Sequence, residues 1–551
     1  MPDPLAAISP RRTPQSRPAD TRQARNSAGG YGFQVDHVTR LRRFLTLGTT
    51  GGTFYATEQA ITEANAKVIL DMARGDTATL VRETVAVSQA GRAPRNNPAL
   101  FALAAAASLG DPAGKRAALD ALPLVARTAT HLFIFCGYAQ NFRGWGRGLR
   151  RGVGGWYLTQ DPGRLAYQML KYRQREGWTH RDLLRQAHPA GTGQHRALFD
   201  FACGRDADLM DLPLVSAFLE AQAIATPAPD TPTNPGQRAR AWAKLIETHP
   251  DLTHEMLPTE ALSHPLVWEA LIAAGMPQTA LIRQLPRLTR LGVLAPMSPT
   301  LAAVCAQLTD QERLTKARVH PIAVLLALRT YASGHSARGD STWTPVAKVT
   351  DALDAAFYLA YGSVEPSGKR VMSAVDVSGS MGDPAAGTPL SCREAAAALA
   401  LVTAATEPNH MITGFTDGPY PSRITHGVGS GLTPLNISPR QRLDDVMNTI
   451  RRVPMGGTNC AAPMQWALTE RAEIDVFEII TDNETWFGDI HPHQALEEYR
   501  QKTGIPARLA VVALTPTEFT IADPADPGSL DVSGFDAAVP TLLADFARGA
   551  I

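Results

Sequence analysis

The feature that most constrains this chain is a change in the rhythm of its apolar residues near position 370. Between about residues 36 and 360 they recur at three- and four-residue spacing in Ala/Leu-rich segments, as in Leu41, Phe44 and Leu45 or Val324, Leu325, Leu328 and Tyr331. That spacing lays one apolar stripe along a helix. Glycine and proline interrupt the pattern at 110–112, 161–163, 189–193 and 226–236, which predicts many short antiparallel helices in a solenoid-like array with no strict repeat period. Residues 227–235 read as a long surface loop within it. After 370, short apolar runs at 371–375, 411–415, 476–480 and 509–514 alternate with helical segments at 393–403 and 462–471. This predicts a mostly parallel sheet covered by helices on both faces, with ligand sites at the carboxyl ends of the strands. The expected fold class is multidomain, α + α/β.

Cutting the chain after the Pro/Ser/Gly stretch 364–368 exposes a charge asymmetry hidden in the whole-chain net of +1. Residues 371–551 hold 11 Lys+Arg against 22 Asp+Glu, a net of −11, and the remainder holds 42 against 30, a net of +12. The basic excess is concentrated at 141–188, with ten Lys+Arg against Asp161, Glu176 and Asp182. Clustered cations suit a polyanion, whose counterions they release; charge alone equally allows a solvated helical face. No stretch approaches the roughly 18 apolar residues of a membrane helix. The first residues carry Arg11, Arg12, Arg17 and Arg22 among prolines without an apolar leader core, so 1–24 is expected to be a disordered basic arm of a cytoplasmic protein. Five dispersed cysteines with no CxxC predict reduced thiols and no zinc knuckle.

The sharpest local motif directly follows the first strand: Asp376-Val377-Ser378-Gly379-Ser380. Alternate residues of an extended or turning segment bring one carboxylate and two hydroxyls to one side, and hard oxygens converging in this way suit Mg²⁺. Two further donors stand where such a sheet places its loops: Thr458 after Gly456-Gly457, and Asp482 in Thr481-Asp482-Asn483-Glu484 after the strand at 476–480. Ordinary caps and turns explain each piece singly, but not five oxygen donors in this order. The set resembles the metal-ion-dependent adhesion site of the von Willebrand factor A fold, with Asp376, Ser378 and Ser380 in the first loop, Thr458 in the second and Asp482 in the third. With so few charged ligands, Mg²⁺ is expected to be weakly held and to keep an open position for a partner's carboxylate or for water. No general base stands beside the motif, so the chemistry expected is binding and not hydrolysis.

The helical part has its own resemblance. Segments 25–30 (RNSAGG), 51–55 (GGTFY), 171–178 (KYRQREGW) running on to His188, 317–321 (ARVHP) and 331–335 (YASGH) are similar to the TROVE module. TROVE over 25–365 followed by an A-type module over 371–551 is the order of the Ro RNA-binding family, and the chain resembles its bacterial members. The resemblance implies a closed ring of HEAT-like helical repeats, pinned against a Rossmann-like A domain and enclosing a basic hole. It also implies a monomeric scaffold, not an enzyme, that binds Y RNA on its outer surface, takes single-stranded ends of misfolded noncoding RNAs through the hole, and supports RNA quality control with the exoribonuclease polynucleotide phosphorylase.

Carried over residue by residue, the family's Y RNA contacts fall on Lys171, Arg175 and His188. The four-residue spacing of Lys171 and Arg175 predicts one shared helix face able to straddle adjacent phosphates. Arg143, Arg147, Arg150 and Arg151, interleaved with Phe142, Trp145 and Trp156, suit phosphate contact and base stacking on single strands, or else a solvated face over core aromatics. His320 and His335 are expected to fix loop geometry. The competing reading is a protein-interaction scaffold that uses the Mg²⁺ site to bind a partner carboxylate without RNA. A nucleotide-driven machine fails on Gly110-Asp111-Pro112-Ala113-Gly114-Lys115-Arg116, which has the wrong spacing for a phosphate loop and no Ser/Thr after the lysine.

Overall fold

The computed structural model describes residues 12–549 except 26–28, 35–37, 39–40, 43, 46–57, 91–95, 227–233, 337–338, 386–387, 417–424, 427–430, 483–484, 516–518 and 536–538. The loop expected at 227–235 and the GGTFY segment lie largely or wholly outside the described residues.

From Glu58–Gly75 to Ala347–Leu359 the described chain is a succession of short helices. Several begin where the sequence offers a side-chain cap. Asp76, Asp111, Asp161, Ser298 and Asp310 accept from the backbone N–H three residues on, and Thr179 forms a reciprocal capping box with Asp182. The would-be phosphate loop is one of these starts: Asp111 caps Pro112–Asp120 and accepts from Gly114 N at 2.6 Å. The apolar stripe expected in Pro321–Ala332 is buried at Val324, Leu325, Leu328 and Tyr331.

Two small antiparallel pieces interrupt the helices. Strands β1 (Gln23–Arg25) and β2 (Tyr31–Gln34) pair with each other, while β3 (Gln174–Arg175) and β4 (Trp178–Thr179) form a hairpin. The A-type module supplies β5 (Val371–Asp376), β6 (His410–Phe415), β7 (Thr425–His426), β8 (Gly431–Pro434), β9 (Val476–Thr481), β10 (Arg508–Ala513), β11 (Phe519–Thr520) and β12 (Ser529–Ser533). Seven of these form one sheet in the order β12-β10-β9-β5-β6-β8-β7. Strands β12, β10, β9, β5 and β6 run parallel, whereas β8 is antiparallel to β6, so the sheet is mixed. The four core strands match the sequence expectation to within one residue at each end.

Alternate residues of these strands feed two cores, as the pleat requires. Val375, Ile480, Ala510 and Val512 join an apolar cluster continuous with the helical part through the Ala-rich helix Cys392–Thr406, whereas Ala374, Phe477, Ile479, Leu509 and Val511 pack under Trp466 and Tyr499. The two modules therefore share one core across their junction. Polar latches add to it. Arg329 donates to Glu394 at 2.6 Å, Tyr358 Oη accepts from Leu443 N at 3.0 Å, and Arg442 pairs with Asp354.

The basic arm departs from expectation. From Arg12 onward it is ordered and lies on the A-type module: Arg12 pairs with Glu498 at 3.0 Å, Arg22 with Asp523 at 2.9 Å, and β2 adds β11 as an antiparallel neighbour. Its arginines meet carboxylates of the acidic module, and that compensation orders a segment whose composition reads as disordered. Both ends of the helical array are thus fastened to the α/β module.

Candidate functional site

The chain runs from β5 to β6 on one side of β5 and then returns to β9 on the other. The carboxyl ends of β5 and β9 therefore flank a topological switch point, where a crevice opens in an open α/β sheet. Asp376 ends β5 and is fully buried. Its Oδ1 accepts from Ser378 N at 2.8 Å and its Oδ2 from Thr481 Oγ1 at 2.7 Å. Ser378 Oγ lies 3.1 Å from Ser380 Oγ. Thr458 is buried in the second loop, and its carbonyl accepts from Trp486 N and Phe487 N at 3.3 and 3.2 Å, which laces that loop to the one following Asp482. Asp482 is itself buried, and its carbonyl accepts from Thr515 Oγ1.

Burial, and then the like charge of Asp482, lift the Asp376 carboxyl to about 7 against the opposing hydrogen bonds of Ser378 and Thr481. Two buried carboxylates that repel each other beside three hydroxyls form a donor set that a hard divalent cation satisfies. Among the described residues no three His, Cys, Asp or Glu side chains converge, so the hydroxyls are integral to this set. The neighbouring thiols of Cys392 and Cys460 are pushed up by burial and by these same carboxylates, and they remain protonated at neutral pH.

The basic residues divide into two kinds. Arg147, Arg150 and Arg151 lie on the solvent face of the helix Arg147–Leu158, whose other face buries Leu149, Val153, Trp156 and Tyr157. Arg143 is exposed just before it. None of these four has an ion pair among the described residues. Gly148 and Gly152 let this helix close on Leu119 of the helix Pro112–Asp120; a Cβ on Gly152 would stand 3.1 Å from Leu119. Between the two helices lies a groove of about 760 Å³ lined by Lys115, Arg116, Leu119, Arg151, Gly152 and Gly155. Lys115 and Arg116 were missed in the sequence, where they stood out only as part of a failed phosphate loop. Pro189, next to His188, packs 3.6 Å from the Cβ position of Gly154, so the exposed His188 sits against the same arginine-bearing helix. His188 caps the helix His180–Ala187 in the left-handed conformation.

Lys171 and Arg175 do not share a helix face. The helix Pro162–Lys171 stops at Lys171, and Arg175 lies in the β3–β4 hairpin, whose turn residues Glu176 and Gly177 both have positive φ. Gly177 takes its left-handed position in this two-residue turn without steric cost. Lys171 is also partly engaged: Nζ lies 3.0 Å from Tyr167 Oη and 3.7 Å from Glu255, and its side chain is 17% exposed. Burial works against its charge, but the Tyr167 hydrogen bond and the Glu255 carboxylate outweigh it and raise its pKa. Arg175 is exposed. The tryptophans belong to the core: Trp156 is fully buried with Nε1 donating to Ala126 O at 2.6 Å, and Trp145 packs edge-on to Trp178 at 5.7 Å. Trp156 is therefore no stacking platform. His320 caps its helix by accepting from Ile322 N.

Comparison with known proteins bears on both modules. The TROVE domain model matches residues 24–204 and 227–330, and the Ro60 vWA domain model matches 370–547. The chain belongs to the Ro60 family. It is 41% identical over 552 residues to RNA-binding protein RO60 of Deinococcus radiodurans, covering 99% of each chain, and 34% identical over 598 residues to RNA-binding protein RO60 of Caenorhabditis elegans, covering 96% of this chain and 90% of that one. The crystal structure of the Deinococcus radiodurans RO (RSR) protein superposes with a TM-score of 0.74 at 40% identity, covering 94% of this chain and 100% of that chain. Helical TROVE region followed by A domain is thus the family's order, as the sequence resemblance implied. No helix among the described residues is long and apolar enough to cross a membrane.

Proposed function

We propose that this Ro60-family chain is a cytoplasmic, monomeric RNA-binding scaffold and not an enzyme. The observation that carries this reading is the row of exposed guanidinium groups at Arg143, Arg147, Arg150 and Arg151, without an ion pair among the described residues and continued across the groove by Lys115 and Arg116. Such a track matches the charge of a phosphodiester backbone. Arg175 and His188 are exposed as well, and the names of the curated relatives support RNA as the ligand. The finer reading is a Y RNA on the outer surface, single-stranded ends of misfolded noncoding RNAs, and delivery to an exoribonuclease such as polynucleotide phosphorylase. The test is binding of a structured RNA with and without a single-stranded 3′ tail; tighter, salt-sensitive binding of the tailed form is expected, and no binding of either at low salt refutes it.

The A-type site fits a divalent cation, Mg²⁺ by donor chemistry, held by Asp376, Ser378, Ser380, Thr458 and Asp482. The cation would supply a Lewis-acid position for an oxygen ligand. A protein partner in that position has one favouring observation: Met455 and Trp486, on the two loops that carry Thr458 and Asp482, are exposed. Pull-down of a partner by wild type but not by Asp376→Ala, with RNA digested, distinguishes this second reading.

A further inference from the structure

The N-terminal arm reaches the loops of the cation site through one residue. Gln15 is completely buried. Its side-chain Nε2 donates to Asn459 Oδ1 at 3.0 Å and to Ile490 O at 2.9 Å, and its Oε1 accepts from Thr485 Oγ1. Its backbone N donates to Gly488 O and its carbonyl accepts from Tyr31 N, both at 3.1 Å. The amide is therefore saturated by two loops that carry cation donors: Asn459 adjoins Thr458, and Thr485 lies three residues beyond Asp482. Thr485 Oγ1 also lies 3.3 Å from the Thr458 carbonyl, so Gln15 closes a network running from one donor loop to the other.

The backbone is shaped to admit it. A Cβ on Gly30 would stand 2.0 Å from Thr485 O and 2.8 Å from Trp486 Cα, so only glycine lets the arm pass this loop. Gly488, at φ +121°, leaves room for the Gln15 amide, which a Cβ there would meet at 2.9 Å. His491 secures the next stretch, with Nε2 donating to Arg17 O at 2.7 Å and Nδ1 accepting from Gln23.

We propose that Gln15 is a positioning residue for the cation site, so that the N-terminal arm sets the affinity of a site more than 350 residues further along the sequence. The proposal rests on the reading of the A-type site as a cation site. Without the Gln15 amide, the Thr458 loop and the loop after Asp482 lose their shared buried anchor, and the donors lose fixed spacing. Outer partners of metal ligands typically control affinity by roughly ten- to a hundred-fold.

The test is Mn²⁺ titration of the full-length protein, following free Mn²⁺ by electron paramagnetic resonance, on wild type, Gln15→Ala, Gln15→Glu, Arg22→Ala and Asp376→Ala. Gln15→Glu keeps the volume but loses both donations. Both Gln15 variants are expected to bind roughly tenfold or more weakly, Arg22→Ala within about twofold because it loosens the arm only at Asp523, and Asp376→Ala not measurably. A second readout separates positioning from general destabilisation: the rise in Tm on adding Mg²⁺ should shrink in Gln15→Glu, whereas a merely structural role lowers Tm equally with and without Mg²⁺. Unchanged affinity in a folded Gln15 variant overturns the proposal and leaves the cation reading standing. Absence of Mn²⁺ and Mg²⁺ binding by wild type overturns both.

Discussion

Replacing Arg147, Arg150 and Arg151 together by alanine should flatten the salt dependence of RNA binding by a calculable amount. All three guanidinium groups are exposed and lack an ion pair among the described residues, so each is available to displace a counterion from a phosphate. At about 0.7 of a log–log slope per cation on single strands, three cations contribute a slope of roughly 2. Between 50 and 200 mM salt, wild-type affinity should then fall roughly 20-fold further than that of the triple variant. Lys171→Ala is the internal comparison. Its ammonium already has Glu255 at 3.7 Å, so phosphate binding there exchanges one anion for another, and the slope should change by less than the share of one free cation. Alanine is the strongest helix former and the three side chains are exposed, so stability should stay within about 0.5 kcal/mol of wild type. Fluorescence anisotropy with a labelled single-stranded RNA at four salt concentrations measures the slopes. Equal slopes for wild type and triple variant would refute the assignment of this face to phosphate contact.

Three further outcomes follow from particular buried groups. Glu478 is held up at about 7, first by burial and then by the charge of Glu407. The unfolded chain ionises it near the ordinary 4.5, so its contribution to stability is full below that pH and is lost as pH rises to about 7, by about 3 kcal/mol in all. Glu478→Gln should remove that fall in urea unfolding measured at about pH 5 and pH 8, and an unchanged profile would contradict the burial argument. Asp376→Asn relieves the repulsion with Asp482, so the cation-free protein should unfold at a higher temperature while the Mg²⁺-dependent stabilisation, about 2.7 kcal/mol at a hundred times Kd, disappears together with its rise in Tm; calorimetry with Mg²⁺ and with chelator reads both. Trp156→Phe orphans the buried Ala126 carbonyl and should cost about 1–3 kcal/mol in urea unfolding, with no change in the RNA salt slope if Trp156 is only a core residue.

What was legible in the sequence is what rests on short-range pattern. The strands at 371–376 and 476–481 announce themselves by mainly apolar runs, interrupted only by Ser373 and Glu478, and Asp376 and Asp482 fall at their ends because parallel strands present their carboxyl ends to loops. What was illegible depends on pairings hundreds of residues apart. Gln15 sits in a Pro/Arg-rich stretch that composition reads as disordered, and only its partners at 459, 485 and 490 reveal it as core. Lys171 and Arg175 look like a helical pair by count, although Glu176-Gly177 was a readable hairpin signal. The antiparallel β8 is four residues long, too short for periodicity to resolve. Lys115 and Arg116 acquire a role only because Gly148 and Gly152 bring a second helix alongside.

The charge asymmetry between the modules does two separate things. Part of the basic excess is consumed at the junction: Arg12 and Arg22 of the arm, and Arg329 of the helical array, meet Glu498, Asp523 and Glu394 of the acidic module. Those pairs close the chain on itself and present little positive charge outward. The guanidinium groups at 143–151 make no such ion pair among the described residues, although Asp120 lines the groove beside Arg151. Their field is therefore directed to solvent, and the −11 of the A-type module discourages a polyanion from the rest of the surface. Selectivity for one face thus needs no special affinity there. On the proposed reading, it follows from pairing arginines where the modules join and leaving others exposed for a phosphate chain.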